Sequence, residues 1–104
     1  MIAFVLALSL ARPAVAGDLP GQSTYTAKCQ ACHGPAGKGD GPAAAALPKP
    51  PPDLTAPEFW KDLTDEQLKN AITNGKPGGV MRPFPMQDSQ LIELVAFVRT
   101  FEPK

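Results

Sequence analysis

The two cysteines and the single histidine of this 104-residue chain fall within one five-residue stretch, Cys29-Gln30-Ala31-Cys32-His33. Two residues separate the cysteines, and the histidine follows the second cysteine directly. The sequence contains no other thiol or imidazole that could complete a cluster. Four kinds of chemistry use such a group of side chains, and the rest of the sequence favours one of them.

Three of these chemistries fit poorly. A structural zinc site takes about four ligands, usually with a second Cys or His pair, which this chain lacks. A thioredoxin-like redox pair expects a strand leading into the motif, whereas the residues before Cys29 have helical periodicity. A structural disulfide suits an exported protein, but it would close a very small loop and leave His33 without a role.

The fourth chemistry, covalent attachment of a haem, uses all three side chains. Cys-x-x-Cys-His is the attachment signature of c-type haem. Each thiol adds to one vinyl group of the porphyrin, and the imidazole that follows ligates the iron. The sequence therefore predicts that Cys29 and Cys32 bind one haem c and that His33 is its proximal ligand.

The first residues predict export. Ile2 to Leu10 is a continuous apolar run, and Ala14-Val15-Ala16 has the small-x-small pattern of a signal peptidase site. We expect a signal peptide over residues 1–16, a cytochrome-like domain over residues 17–104, and a location in the periplasm. The run is short for a bilayer span, so we expect no membrane insertion; an uncleaved anchor and an N-terminal helix of the domain are the alternatives.

The charge composition limits the kinds of binding partner that we expect. Acidic and basic residues balance at ten each, so no strong field indicates a nucleic acid or a membrane surface. A single small domain often needs a cofactor to complete its core. We expect a monomer that meets redox partner proteins.

Periodicity predicts an all-α fold with three main helices and long loops. The first helix runs from Gln22 to Cys32, where Gly34-Pro35 stops it. The second begins at the capping box Thr64-Asp65-Glu66-Gln67 and ends at Asn74-Gly75. The third follows the apolar face of Leu91, Leu94, Val95, Val98 and Phe101, with Asp88 or Ser89 as its cap. The Pro-rich segments 42–57 and 76–87 are expected to be ordered loops.

In this order of motifs the chain resembles the class I (mitochondrial-type) bacterial cytochromes c over nearly all of residues 21–101. The shared pieces are Gly21 and Tyr25, the haem motif, Gly39-Asp40-Gly41-Pro42, Asn74-Gly75, the turn Met81-Arg82-Pro83-Phe84, and Phe97 in the last helix. The resemblance implies three main helices around one covalently bound haem. It also implies that the first and last helices cross where Gly21, Tyr25 and Phe97 meet.

Three further positions belong to the expected site. A carbonyl from the Pro-rich loop should accept the Nδ1–H of His33; the resemblance implies Pro42, with nearby prolines as alternatives. Met81 should be the sixth ligand of the iron, because its turn resembles the family's ligand turn and the glycine pair Gly78-Gly79 before it can act as a hinge; Met86 is the alternative. Trp60 can pack beside the haem, donate its indole N–H to a propionate, or fill the core without a haem contact.

These expectations define a function. Histidine and methionine together leave the iron no open position, so it can change oxidation state but not readily bind oxygen or a substrate. No catalytic constellation replaces it, and we expect no enzyme activity. We expect a periplasmic single-haem cytochrome that carries one electron at a time between redox partners. The alternative is a cytochrome subunit of a larger oxidoreductase, and loss of the methionine ligand would instead give a haem enzyme or gas sensor.

Overall fold

The computed structural model describes residues 19–76 and 80–104. The expected signal peptide and the Gly78-Gly79 hinge lie outside these residues, so both stay predictions. Within the described ranges no residue is in a strand, which confirms the all-α fold class. None of the helices there has both the length and the apolar content that a membrane crossing requires.

The described residues form five α-helices in chain order. They are α1 (Gln22–Lys28), α2 (Gln30–His33), α3 (Pro57–Trp60), α4 (Asp65–Asn74) and α5 (Asp88–Val98). A 3-10 helix spans Ala44–Ala46, and another, Arg99–Phe101, continues α5. Three of the helices, α1, α4 and α5, have seven residues or more, so the expectation of three main helices is confirmed.

Two boundaries differ from the expectation. The first predicted helix is interrupted at Cys29, which has φ −118° and separates α1 from α2. The short helix α3 lies at the end of a stretch predicted as loop. Pro57 occupies its first turn together with Glu58, and a proline there has the φ that a helix start needs. The Pro-rich composition therefore led to a loop prediction at a position where a helix begins.

The two longer helices begin differently. At α4 the Thr64 hydroxyl accepts the Gln67 N–H at 3.1 Å, and the Gln67 side chain accepts the Thr64 N–H at 3.0 Å, so the capping box is confirmed. At α5 the N-cap is Gln87, with no side-chain cap bond. The prediction of Asp88 or Ser89 as the cap is therefore wrong. Asp88 lies inside the first turn, where its charge still favours the positive end of the helix dipole.

The crossing of α1 and α5 is as the resemblance implies. A Cβ on Gly21 would lie 2.2 Å from the carbonyl oxygen of Glu93, so only glycine allows this approach. Next to it the Tyr25 ring packs on Phe97 at 5.2 Å and on Phe101 at 5.3 Å between centroids. This aromatic group joins the first and last helices.

The core is completed by the loop between α2 and α4. The N–H of Leu54 donates to the carbonyl of Gly37 at 2.7 Å, and Leu54 and Trp60 are both buried. The Arg99 guanidinium lies 5.2 Å from the Trp60 ring and donates to Asp65 at the start of α4. The Pro-rich loop is therefore an ordered part of the domain.

Candidate functional site

The haem motif is folded into one helical turn. The N–H of Cys29 donates to Tyr25 O at 2.8 Å, and the carbonyl of Cys29 accepts the N–H of Cys32 at 3.2 Å and of His33 at 2.9 Å. This turn is α2, and it ends at Gly34, whose φ is 84°. The backbone thus holds the two cysteines and the histidine in one compact unit directly after α1.

The state of the two thiols bears on two of the alternative chemistries, the disulfide and the redox pair. Cys29 and Cys32 are free and half-buried, so the structure contains no disulfide between them. Burial raises the pKa of the Cys29 thiol to about 11, with Cys32 adding to the rise and Lys28 opposing it. A redox-active cysteine has a lowered pKa instead. Cys29 is therefore a neutral thiol at neutral pH and not an activated thiolate.

The described part of the chain also holds no group of three or more His, Cys, Asp or Glu side chains that could bind a metal ion alone. That finding argues against a zinc site built from protein ligands. The remaining use of these side chains needs a group that brings its own metal.

His33 has the properties of a neutral ligand. Burial lowers the pKa of its imidazole, which keeps the ring uncharged and leaves a lone pair available. Its Nδ1 atom is buried and has no hydrogen-bond partner among the described residues.

The predicted bond from His33 to the Pro42 carbonyl is therefore wrong for this structure. The residues on either side of Pro42 are bonded to α2 instead: Gly41 N–H donates to Cys32 O at 3.1 Å, and Ala43 N–H donates to Ala31 O at 2.7 Å. These bonds fix the segment against the backbone of α2 and not against the imidazole.

Met81 is half-buried and packs against the edge of the core. Its backbone is bound to the end of α4, because the carbonyl of Met81 accepts the N–H of Lys76 at 3.2 Å. Met86 is also half-buried against the core. The choice of Met81 over Met86 as the sulfur donor stays a prediction based on the turn that carries it.

The edge of the core supplies the surroundings that a haem needs. Its half-buried apolar side chains contact the core and remain partly accessible; they are Cys29, Phe59, Leu63, Met81, Phe84, Met86 and Phe101. A flat apolar group can cover such side chains. Two free thiols, a neutral imidazole, and thioethers at this edge fit a covalently bound haem.

The structure excludes one of the roles predicted for Trp60, the bond to a haem propionate. Its indole N–H donates to the carbonyl of Leu54 at 2.7 Å in the interior, so it is not free for a propionate, and that option is wrong. The ring is buried, with Phe59 edge-on at 5.0 Å. Trp60 fixes the loop at Leu54 to the core.

Sequence reasoning missed two contacts near the site. The Tyr25 hydroxyl donates to the carbonyl of Gly34, the residue after His33, at 2.5 Å. Arg99 also donates to the Leu63 carbonyl at 3.1 Å. The sequence did give a reason to expect the Tyr25 contact. A phenylalanine would pack equally well at this position, and a buried phenol needs an acceptor.

A helical fold with a Cys-x-x-Cys-His turn beside an accessible apolar edge defines a c-type haem protein. Comparison with known proteins agrees: the sequence model of the family described as Cytochrome c matches residues 19–102. The chain therefore belongs to the cytochrome c family, and its cofactor is covalently bound haem c.

Individual relatives show the domain in several settings. The chain is 33% identical over 106 aligned positions to the dihydro-heme d1 dehydrogenase of Pseudomonas aeruginosa, covering all of this chain and 20% of that protein. It therefore spans about a fifth of the length of this relative. Among solved structures, a chain of the reducing HAO-like protein complex of Kuenenia stuttgartiensis is similar at 26% identity and a TM-score of 0.67, over 82% of this chain and 45% of that one. The c-type cytochrome KustC0563 has the same identity and TM-score, over 81% of this chain and 99% of its own.

Proposed function

We propose that this chain is an exported single-haem cytochrome c that carries one electron at a time between redox partner proteins. Membership of the cytochrome c family gives electron transfer; the free carrier and the location are the parts proposed. The observation that carries the proposal is the half-buried position of Met81 at the core edge, on a turn bound to α4. It supplies a soft thioether donor in addition to the imidazole of His33.

In this proposal the residues divide into three roles. Cys29 and Cys32 would hold the haem covalently, and His33 and Met81 would ligate its iron. The apolar edge of the core, with Phe59, Leu63 and Phe84 among its members, excludes water. When bound, the haem supplies an iron that gains or loses one electron without binding a substrate.

The apolar edge also affects which oxidation state is favoured. A low dielectric makes extra charge costly, so a buried site favours the less charged ferrous iron. Methionine ligation raises the potential further relative to two histidines. Both effects suit a protein that accepts an electron and passes it on.

Visible spectroscopy tests the ligand set. A pyridine haemochrome assay should give one haem c per chain, and the reduced protein should bind no carbon monoxide at neutral pH. Rapid binding of carbon monoxide would instead indicate an open iron position and refute the carrier function.

The proposal of export rests on the apolar run Ile2 to Leu10 and the Ala14-Val15-Ala16 pattern. Two expression forms test it, one with residues 1–16 and one without. The form with the leader should yield red periplasmic protein, and the form without it should yield colourless chain. A red, folded product of the leaderless form would contradict the export requirement.

A second candidate function is an electron-transfer module of a larger oxidoreductase. Two similarities favour it: the match to a fifth of the dihydro-heme d1 dehydrogenase and the match to 45% of a chain in the HAO-like complex. The 99% coverage of KustC0563 favours a single small cytochrome instead. Size-exclusion chromatography of a native extract with haem staining separates the two, since a free carrier elutes at the size of one small domain and a module elutes with its complex.

A further inference from the structure

The turn that carries Met81 rests on the C-terminal end of α4 through two backbone hydrogen bonds. The N–H of Phe84 donates to the carbonyl of Ile72 at 2.8 Å, and the N–H of Lys76 donates to the carbonyl of Met81 at 3.2 Å. One bond holds each end of the segment from Met81 to Phe84. The position of Met81 therefore depends on the shape of the helix end.

Gly75 forms that helix end, and two separate constraints restrict the position to glycine. Its backbone has φ 73° and ψ −170°, a region that residues other than glycine essentially do not occupy. It is also buried, and a Cβ there would lie 2.6 Å from Met81 O. The same Cβ would lie 3.1 Å from Arg82 C and from Pro83 N.

All three of these neighbours are backbone atoms, so none can move aside by a change of rotamer. A side chain at position 75 must push the backbone of residues 81–83 away from α4. Phe84 remains bonded to Ile72 beyond them, so the displacement falls on Met81 and the two residues after it.

We propose that Gly75 is a positioning residue for Met81: the missing side chain lets the Met81 backbone lie against α4, which holds the thioether at the core edge. The proposal rests on the function proposed above, in which Met81 is the second axial ligand. Met86 lies outside the two hydrogen bonds and follows Pro85, so the constraint at Gly75 acts on Met81 and not on Met86.

The test is Gly75→Ala in the full chain, purified with its haem. The expected result is a red, folded protein that has lost the sulfur-to-iron charge-transfer band, has a lower reduction potential, and binds carbon monoxide. The potential falls because methionine ligation raises it.

The matched control is Gly37→Ala. Gly37 has nearly the same φ, +75° against +73°, but its Cβ would meet the Phe101 side chain at 2.9 Å and no part of the Met81 turn. This variant also places a side chain at a positive φ, and it should keep the charge-transfer band and exclude carbon monoxide.

A double-mutant cycle separates positioning from general destabilisation. If Gly75 acts through Met81, adding Gly75→Ala to Met81→Ala should leave the potential and the carbon monoxide affinity unchanged. A further shift in the double variant would show an effect independent of Met81 and overturn the proposal.

Two other results also overturn it. One is a Gly75→Ala protein that keeps the band and excludes carbon monoxide. The other is complete loss of haem from Gly75→Ala while Gly37→Ala retains it, since that would make Gly75 a requirement of folding as a whole. A wild-type protein that binds carbon monoxide would refute the proposed function and this role together. If the wild type and the Gly75→Ala variant both exclude carbon monoxide, only the role of Gly75 is refuted.

Discussion

The hydroxyl of Tyr25 offers a one-atom test of how the helix crossing supports the haem motif. Tyr25 is 1% exposed, and its O–H donates to the Gly34 carbonyl, directly after His33, at 2.5 Å. Tyr25→Phe removes this bond and keeps the ring contacts with Phe97 and Phe101. The Gly34 carbonyl still accepts the N–H of Gly37 at 3.2 Å, so the substitution removes one of its two donors.

The expected cost is that of one hydrogen bond, because the Gly34 carbonyl keeps its other donor. A typical intramolecular hydrogen bond contributes about 0.5–1.5 kcal/mol net, and the loss of one oxygen leaves little new cavity. In a domain of this size each kcal/mol lowers the melting temperature by about 4–8 °C. We expect a destabilisation of about 1 kcal/mol.

Urea unfolding of the haem-bearing protein at neutral pH, followed by Trp60 fluorescence, measures this cost. Thr26→Ala is the control, because Thr26 lies on the exposed side of the same helix; its effect should be within about 0.5 kcal/mol. If Tyr25→Phe changes stability no more than Thr26→Ala, the hydrogen bond to Gly34 does not support the fold and the reasoning is wrong.

The same phenol predicts a loss of stability in alkali. Burial, followed by the charges of Cys29 and Asp40, raises the pKa of Tyr25 from 10.0 to about 12. In the haem-bound protein Cys29 is an uncharged thioether, so burial and Asp40 remain. A folded-state pKa above the unfolded one means that the contribution is complete below pH 10 and is lost as the pH rises towards 12. Tyr25→Phe should therefore make the stability profile flatter in that window.

Three further perturbations test the remaining parts of the structure. Cys29→Ala or Cys32→Ala should leave little folded red protein, because the bound haem stabilises the fold; a near-UV dichroism spectrum of native shape from a haem-free double variant would contradict this. Met81→Ala should abolish the sulfur-to-iron band and admit carbon monoxide, while Met86→Ala should do neither; the reverse outcome would transfer the ligand assignment to Met86. Thr64→Ala should cost about 1 kcal/mol through loss of the capping box, measured by thermal unfolding, and an unchanged midpoint would show that α4 is held by packing alone.

Local chemistry allowed much of the fold to be predicted from the sequence. The capping box at Thr64 depends on residues three apart in the chain, so the residue types alone predict its hydrogen bonds. The apolar face of α5 likewise follows from a period of 3.6 residues. The crossing at Gly21, by contrast, came from resemblance, since nothing in the local sequence says which helix approaches a glycine.

The wrong predictions concern donors whose partner the sequence does not determine. The Trp60 indole had both a propionate and a backbone carbonyl as candidate partners, and the structure gives it to Leu54. The predicted bond from His33 to the Pro42 carbonyl is absent, because the hydrogen bonds of Gly41 and Ala43 fix that segment to the backbone of α2. The sequence gives the type of each side chain, but it does not show which of several nearby carbonyls the fold brings within reach of that side chain.

The two candidate ligands are both positioned by the end of a helix. His33 is the last residue of α2, and Met81 is held against the last turn of α4, so both depend on how a helix ends. The core is built from helix faces instead, with Leu94 fully buried on α5. Substitutions on a helix face should therefore weaken folding with the ligands retained, since packing losses spread over the whole domain. Changes at a helix end should alter the iron's ligands while most of the core packing survives.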